Sequence, residues 1–476
     1  MSDHPDARLV RLLGGWESAD GPLPQRLHDA LATLIDEGDL ATGDRLPAER
    51  GLAAALLVSR GTVTEAYRML QEGGRVSSRR GSGSVVTSQL RRGTASSGLF
   101  STFASRRDEP VDLSSGAPGG LDLVVGAARR ALAAPAFAQL VAGDGYDLRG
   151  LAGLRAGLGR YYDERGIPTS PDELLVTNGS QQAMKLLADT LVARDDYVLV
   201  EDPTYRGSLE VLRARNARIV PVPLERDGPD VEAMERLVRR LRPRLVYLLP
   251  LAHNPTGYVI SEEKATRLAR LFDETGTLLV EDGSPADLVF AERVPRSVGA
   301  HLTGSDWIAI GSISKLFWGG LRVGWIRARS PALLEALARA KAADDLGGAL
   351  VSQVVAQECL TLLPEARELR RHALRRGLRT ATEALAELAP EWTWQEPEGG
   401  AGLWVELPGT DAARFAQHSK RHGITIVAGP VFSAVSGFPH HIRLPFLREP
   451  DQLLPALEQL TGLWRSTRDR NGSSRA

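Results

Sequence analysis

Seven short apolar runs of four to six residues recur between residues 174 and 327, and stretches with helical spacing lie between them. This alternation predicts an α/β fold with a mostly parallel sheet and helices on both faces. The strand-like runs are 174–177, 197–201, 218–222, 245–250, 278–282, 307–312 and 323–327, and two clear helical stretches are 181–192 and 261–275. After residue 330, long helices with a few strands predict a smaller α+β subdomain.

The N-terminal part of the chain has a different pattern. Leucines at helical spacing from Leu23 predict a first helix, residues 48–57 a second and residues 60–72 a third, with Ser59 as a capping residue before it. Residues 75–86 then predict a hairpin with its tip at 79–83. Three helices followed by a hairpin predict a winged helix-turn-helix.

This N-terminal part is also basic. Between residues 45 and 92 there are nine arginines and three acids, although the whole chain has a formal net charge of −1. A local positive charge on this fold predicts binding to DNA phosphates. The alternative is an ordinary solvated face in a chain rich in arginine.

Six segments are predicted in chain order. They are an extension at 1–21, the winged helix at 22–88, a linker at 89–111, a large domain at 112–330, a small subdomain at 331–465 and a disordered tail at 466–476. The single cysteine, Cys359, allows no disulfide within the chain, and no apolar run approaches the ~20 residues that span a bilayer. We therefore expect a cytoplasmic protein with no membrane segment, and we expect no metal site.

Lysine is scarce, since only five of the 58 basic residues are lysines. Lys315 follows a predicted strand in the sequence Gly311-Ser312-Ile313-Ser314-Lys315, and Arg322 comes seven residues later. A lysine that forms a Schiff base needs a desolvated setting, and hydroxyls with a guanidinium can hold a phosphate. Ser312 and Lys315 also fit the Ser-x-x-Lys motif of serine enzymes that recognise penicillin, but the chain lacks their Ser-Asp-Asn and Lys-Thr-Gly motifs.

Further polar or aromatic residues follow other predicted strands. Ser180 and Gln181 begin a helix, where an anion such as phosphate is favoured, and Asp282 ends a strand at the sheet edge where ligands bind. Asn254 can donate to a ring oxygen, and Tyr205 can stack on a ring. Taken singly, each is better explained as a turn, a core residue or a helix cap, but together they follow strand ends in one consistent order.

Residues 22–86 closely resemble the GntR-type winged-helix domain, including its Leu-Pro-x-Glu-Arg and Val-Ser-Arg-x-Thr-Val elements. The resemblance implies a set of DNA contacts from the helices and the wing. The residues are Arg50, Ser59, Arg60, Thr62, Arg80 and Gly81.

Residues 112–464 resemble a fold-type I aminotransferase domain that carries pyridoxal 5′-phosphate (PLP). The resemblance implies an internal aldimine at Lys315, Asp282 at the pyridine nitrogen, Asn254 near the ring hydroxyl and Tyr205 over the ring. It assigns the phosphate to Ser180, Gln181, Ser312 and Arg322. Tyr146 is implied to reach the phosphate of a neighbouring subunit, and Arg443 to bind an amino-acid carboxylate.

A GntR-type winged helix, a linker and this domain resemble the MocR subfamily of bacterial regulators. The resemblance implies a homodimer, commonly head-to-tail, that binds operator DNA and senses PLP or an amine or amino-acid effector. The family usually has Asp-Asp-Tyr where this chain has Asp282-Gly283-Ser284, so the tyrosine near the ring hydroxyl is missing. Two alternatives remain: a working aminotransferase that uses a 2-oxo acid, and a scaffold without cofactor.

Overall fold

A computed structural model describes residues 9–10, 12–13, 16, 21–36, 40, 44–72, 75–79, 83–86, 99 and 111–472. The chain divides between Ala104 and Ser105 into two compact units, within the segment predicted as a linker. Each unit has its own hydrophobic core.

The N-terminal unit is a winged helix-turn-helix, as predicted. It contains α1 (Leu23–Asp36), α2 (Glu49–Ala55), α3 (Arg60–Glu72) and a hairpin of β1 (Val76–Arg79) and β2 (Gly83–Val86). Arg45 forms an isolated antiparallel β-bridge with Val85 of β2. The core forms because leucines at helical spacing, such as Leu27 and Leu31, are fully buried against α3.

The predicted N-terminal extension contributes to this core. Leu9, Leu13 and Trp16 are buried in the same cluster as Leu27 and Leu52. The compact unit therefore begins before residue 22, because apolar side chains of the extension cover part of the helical core.

The second unit is built on an eight-stranded sheet. The strand order is β4-β11-β10-β9-β8-β5-β6-β7. The strands are β4 (Leu174–Thr177), β5 (Tyr197–Asp202), β6 (Arg218–Glu225), β7 (Gly228–Pro229), β8 (Leu245–Leu248), β9 (Leu279–Asp282), β10 (Trp307–Ser312) and β11 (Gly324–Arg327). Six strands run in one direction, whereas β11 is antiparallel to β10 and β4, and β7 is antiparallel to β6.

Helices cover both faces of this sheet. Successive strand residues enter opposite cores: Val246 and Leu248 of β8 belong to one cluster, and Leu245 and Tyr247 to the other. The helices before and within this region are α4 (Leu123–Ala133), α5 (Pro135–Val141), α6 (Ala152–Asp163), α7 (Ser180–Leu191), α8 (Arg206–Ala214), α9 (Val231–Leu241) and α10 (Glu262–Thr275). Burial on two faces explains why the strands are continuous apolar runs.

The C-terminal part has an antiparallel sheet of order β12-β13-β16-β15 and a separate core around Leu374, Leu403 and Trp464. Its strands are β12 (Thr393–Trp394), β13 (Gly402–Glu406), β15 (Val427–Ala428) and β16 (His441–Pro445), and β14 (Ile424–Thr425) pairs with β3 (Val111–Asp112). The helices are α11 (Pro331–Asp345), α12 (Leu350–Leu360), α13 (Leu363–Leu388), α14 (Ala412–Arg421) and α15 (Pro450–Gly472).

Two features depart from the predicted segments. β3 lies at the start of the predicted large domain yet pairs with β14 of the small subdomain. The last helix continues to Gly472, so residues 466–472 are helical where a disordered tail is expected. Four side chains of this helix are buried in the core: Leu453, Leu457, Leu460 and Trp464. None of the helices in the described ranges is both long and apolar enough to cross a membrane.

Candidate functional site

Most of the residues singled out in the large domain lie at or after the C-terminal ends of five strands that run in the same direction. Such ends meet at one edge of an open α/β sheet, where ligands bind. Ser180 and Gln181 follow β4, Tyr205 follows β5, Asn254 follows β8, Asp282 ends β9, and Ser312 and Lys315 lie at and after the end of β10.

Three of the predicted residues line one cleft. Lys315, Asn254 and Arg443 share it with Pro285 and Gly116. Arg443 comes from β16 of the small subdomain, while Lys315 and Asn254 come from the large domain. The structure thus places an amine, an amide and a guanidinium around one space.

Asp282 is buried at the end of β9. Tyr247 Oη donates a hydrogen bond to Asp282 Oδ2 (2.8 Å), and the Ser284 backbone N–H donates to Oδ1 (2.9 Å). Burial raises the pKa of Asp282, while these donors and the charge of Lys315 oppose the rise. The sequence did not predict a role for Tyr247, because it lies inside an apolar strand, where an aromatic residue indicates core packing.

The turn between β4 and α7 has the features of an anion site. Gly179 has φ +79°, a backbone conformation that favours glycine, and a Cβ there would lie 2.7 Å from Arg322 Nη2. No side chain of the described residues caps α7, so the amides of its first turn are directed outward. Arg322 Nη2 donates to the Asn178 carbonyl (2.8 Å), which holds the guanidinium beside this helix start.

The two serines before Lys315 differ in their contacts. Ser312 Oγ donates to the Val323 carbonyl (3.2 Å) and accepts from the Ser314 N–H (3.1 Å). Ser314 Oγ is buried and has no hydrogen-bond partner within the described part of the chain. Ser314 therefore offers a hydroxyl that is free to bind a ligand. The family resemblance had assigned Ser312 to the phosphate.

Tyr205 and Gln181, predicted at the ring and at the phosphate, are in contact. Tyr205 Oη donates to Gln181 Oε1 (3.2 Å), and Gln181 Nε2 donates to the Gly207 carbonyl (3.1 Å). Burial raises the pKa of Tyr205 to about 12, so its phenol remains a proton donor near neutral pH. Tyr146, by contrast, is 68% exposed.

Arg443 is buried in the wall of the cleft. Its Nη2 donates to the Ser114 carbonyl, and its Nε has no partner among the described residues. Burial and the nearby charge of Arg206 lower the pKa of Arg443 to about 10. Arg206 is itself buried and was missed in the sequence, although it directly follows Tyr205.

A second buried network lies behind Asn254. His253 stacks on Tyr258 with ring centroids 4.7 Å apart, and its Nδ1 is 2.8 Å from Thr256 Oγ1. Glu201 accepts hydrogen bonds from Tyr258 Oη and from the Leu249 N–H (2.8 Å), and its Oε2 lies 3.6 Å from His253 Nε2. Burial raises the pKa of Glu201 to about 8 and lowers that of His253 to about 3. A histidine this strongly desolvated is neutral near pH 7.

In the winged helix, Arg50, Ser59 and Arg60 are exposed. Arg60 forms an ion pair with Glu49 (3.2 Å), and Ser59 Oγ accepts from the Thr62 N–H (3.1 Å), which caps α3 as predicted. Thr62 is buried, and its hydroxyl lies 2.9 Å from Ser59 Oγ, so it shapes the helix start instead of presenting a free hydroxyl. The predicted wing contacts Arg80 and Gly81 lie outside the described residues.

Comparison with known proteins separates the same two parts. The family of class I and II aminotransferases matches residues 108–460, and the gntR family of bacterial regulatory proteins matches residues 23–86. Among relatives, the uncharacterised HTH-type transcriptional regulator YisV of Bacillus subtilis is 28% identical over 83% of this chain and 86% of its own length. The probable rhizopine catabolism regulatory protein MocR of Rhizobium meliloti is 30% identical over 65% of this chain and 66% of its own.

A solved structure matches the second unit. It is LysN, an α-aminoadipate aminotransferase of Thermus thermophilus in complex with N-(5′-phosphopyridoxyl)-L-leucine, with 28% identity and a TM-score of 0.69. The match covers 78% of this chain and 96% of LysN. The chain therefore belongs to the class I and II aminotransferase family and carries a GntR-type DNA-binding domain at its N-terminal side, which is the domain order of the MocR-type regulators.

Proposed function

We propose that the protein is a PLP-dependent transcriptional regulator. Its winged helix binds operator DNA, and its aminotransferase-like domain senses PLP or an amine or amino-acid effector. The observation that carries this proposal is the cleft that unites Lys315, Asn254 and Arg443 in a chain that also has a GntR-type domain.

The residues at the sheet edge suit PLP. The first turn of α7, Arg322 and the buried hydroxyl of Ser314 would hold its phosphate, and Gly179 leaves the space for the guanidinium to approach. Asp282, with its two hydrogen-bond donors, would hold the proton of the pyridine nitrogen. Lys315 would supply the amine. When bound, PLP provides an aldehyde that condenses with an amine, with loss of water, and a ring that withdraws electrons.

The same cleft would recognise the effector. A primary-amine effector would compete with the amine of Lys315 for the aldehyde that PLP supplies, and Lys315 would then be left as a free amine without any other reactant. Arg443, whose Nε is unused among the described contacts, would bind a carboxylate when the effector is an amino acid. The regulatory effect then requires that the effector bind two conformations of the protein with different affinities.

A homodimer, commonly head-to-tail in MocR-type regulators, is part of the proposal. Tyr146 is 68% exposed, which suits a side chain that reaches the phosphate site of a second subunit. Two winged helices in a dimer would read two half-sites of the operator. Because the proposed partner is chromosomal DNA, the expected cytoplasmic location belongs to the same proposal.

The alternative is a working aminotransferase that uses a 2-oxo acid. The likeness to LysN and the presence of Lys315, Asp282, Asn254 and Arg443 favour it. A regulator requires only binding and exchange at Lys315, whereas an aminotransferase must also move a proton and release a keto acid.

The experiment that tests the proposal combines a spectrum with a turnover assay. The full chain is mixed with PLP, and a visible absorption band that free PLP does not show is expected for the unaltered protein and is expected to be lost in Lys315→Ala. Turnover is then measured with each amino acid and 2-oxoglutarate. Rates of about 1 per second or faster would favour the aminotransferase, and absence of the band in the unaltered chain would overturn both functions.

A further inference from the structure

Asp345, the last residue of α11, lies behind the β4–α7 turn and is hydrogen-bonded to it. Its Oδ2 accepts hydrogen bonds from Asn178 Nδ2 (2.6 Å) and Gln182 Nε2 (2.7 Å). Its Oδ1 accepts from the Gly347 N–H (2.8 Å). One carboxylate therefore joins the turn that follows β4, the first turn of α7 and the turn that follows α11.

Lys341 neutralises this carboxylate. Its Nζ lies 2.6 Å from Oδ1 and 2.8 Å from Oδ2 of Asp345, and its side chain is completely buried. A buried ammonium is stable only with a paired charge, so Lys341 and Asp345 hold each other in place. The hydrogen bonds from Lys341 and Gln182 outweigh the effect of burial and keep the pKa of Asp345 below its usual range.

Asn178 connects this pair to the anion site. Its side-chain amide donates to Asp345, while its backbone carbonyl accepts from Arg322 Nη2 (2.8 Å). Its backbone N–H donates to Gln182 Oε1 (2.7 Å), which closes the turn around Gly179. The orientation of Arg322 and of the first amides of α7 thus depends on where Asn178 is held.

We propose that Asp345, supported by Lys341, is a positioning residue that fixes the turn from Asn178 to Gln182 in the conformation that receives a phosphate group. The inference rests on the proposed function, because it takes PLP as the molecule that carries this phosphate. Asp345 would not contact PLP itself. It would act on the phosphate site through Asn178, Gln182 and Arg322. Its contribution is therefore specific to the phosphate and independent of the bond formed at Lys315.

The test compares PLP with pyridoxal, which has the same ring and aldehyde but lacks the phosphate. Dissociation constants for both are measured with the cofactor-free full-length chain and with Asp345→Ala. The variant is expected to bind PLP about tenfold or more weakly and pyridoxal within about twofold of the unaltered chain, since only the phosphate contacts are disturbed. Equal weakening of both molecules, or unchanged PLP binding, would overturn the inference.

Asn178→Ala provides a second variant in case loss of Asp345 prevents folding. It removes the amide link and retains the Lys341–Asp345 pair and the backbone carbonyl that binds Arg322, and the same selective loss of PLP affinity is expected. Asp273→Ala is the matched control, because Asp273 lies on α10 and accepts backbone hydrogen bonds from Thr303, Gly304 and Ser305 of a different loop. A similar selective loss in this control would contradict the assignment, whereas failure of the unaltered chain to bind PLP would overturn the proposed function itself.

Discussion

Tyr247 Oη donates a hydrogen bond of 2.8 Å to Asp282 Oδ2 beneath the C-terminal edge of the sheet. Tyr247 lies on β8 and Asp282 on the adjacent strand β9, and both side chains are buried. The phenol stabilises the ionised carboxylate, the form that can hold a protonated ring nitrogen.

Tyr247→Phe is expected to weaken PLP binding about threefold to tenfold. A hydrogen bond to a charged group contributes about 1.5–3 kcal/mol, and part of this acts on the ring through Asp282. The measurement is a PLP titration followed by absorbance. Tyr161→Phe is the control, since Tyr161 Oη donates to Asp287 Oδ2 over a similar 2.9 Å and Asp287 is not among the residues proposed to hold PLP. Equal losses of PLP affinity in the two variants would contradict this role of Tyr247.

The raised pKa of Glu201 is expected to make the stability of the folded chain depend on pH. Its pKa is raised from 4.5 in the unfolded chain to about 8 in the folded one, so between these values the folded chain holds a proton that the unfolded chain has released. The contribution of Glu201 to the free energy of unfolding is complete below pH 4.5. It falls as the pH rises from there to 8, by up to about 1.4 kcal/mol per pH unit.

Glu201→Gln is expected to remove this slope. Urea unfolding at pH 5, 6.5 and 8 should show the variant gaining stability relative to the unaltered chain as the pH rises. Glu396→Gln, at an exposed position, serves as control and should follow the unaltered chain. A constant difference between Glu201→Gln and the unaltered chain at all three pH values would show that Glu201 does not titrate in this way.

A substitution at Leu57 is expected to stabilise the winged helix. It has φ +55° in the turn between α2 and α3 and is 93% exposed, so its side chain contributes little packing. A left-handed conformation costs an L-residue about 1–2 kcal/mol, which exceeds the entropy that glycine loses on folding. Leu57→Gly should therefore raise the unfolding temperature of the winged helix, measured by calorimetry. Leu57→Ala retains the strain, and an equal gain in that variant would contradict the explanation.

Arg60→Ala is expected to weaken binding to specific DNA by about 1–3 kcal/mol at fixed salt, because an arginine at the start of a recognition helix can contact a guanine edge. Arg68→Ala is the comparison, since Arg68 is exposed and ion-paired as Arg60 is but lies in the second half of α3, away from the helix start. Affinity is measured by fluorescence anisotropy. Similar losses in both variants would indicate general phosphate attraction in place of a base contact.

The sequence predicted the order of strands and helices well because two-sided burial makes each strand of this sheet an apolar run with a polar residue at its end. The strand ending at Asp282 and the helix starting at Ser180 follow directly from that pattern. The antiparallel direction of β11 could not be predicted, because direction depends on which neighbour a strand pairs with.

Site residues beyond the strand ends were harder to predict. Asp345 lies 167 positions from Asn178, and Arg443 lies 329 positions from Ser114, so these contacts depend on the packing of distant segments. Tyr247 and Glu201 lie inside strands that the sequence predicts to be buried, so neither stands at a strand end where a functional residue is expected. Ser312 was assigned to the phosphate from the family resemblance, and a motif carries no information about which of the hydroxyls of Ser312 and Ser314 is already hydrogen-bonded.

The central claim is that chemistry at Lys315 controls DNA binding. The direct measurement is the affinity of the full-length chain for a duplex selected by that chain from a random library, without ligand, with PLP, and with PLP plus each common amino acid or primary amine. We expect at least one ligand condition to change the affinity of the unaltered chain about fivefold or more, a coupling of about 1 kcal/mol. Lys315→Ala should bind the duplex as the ligand-free chain does in every condition. A Lys315→Ala variant whose DNA affinity responds to the ligands as strongly as the unaltered chain would contradict the claim.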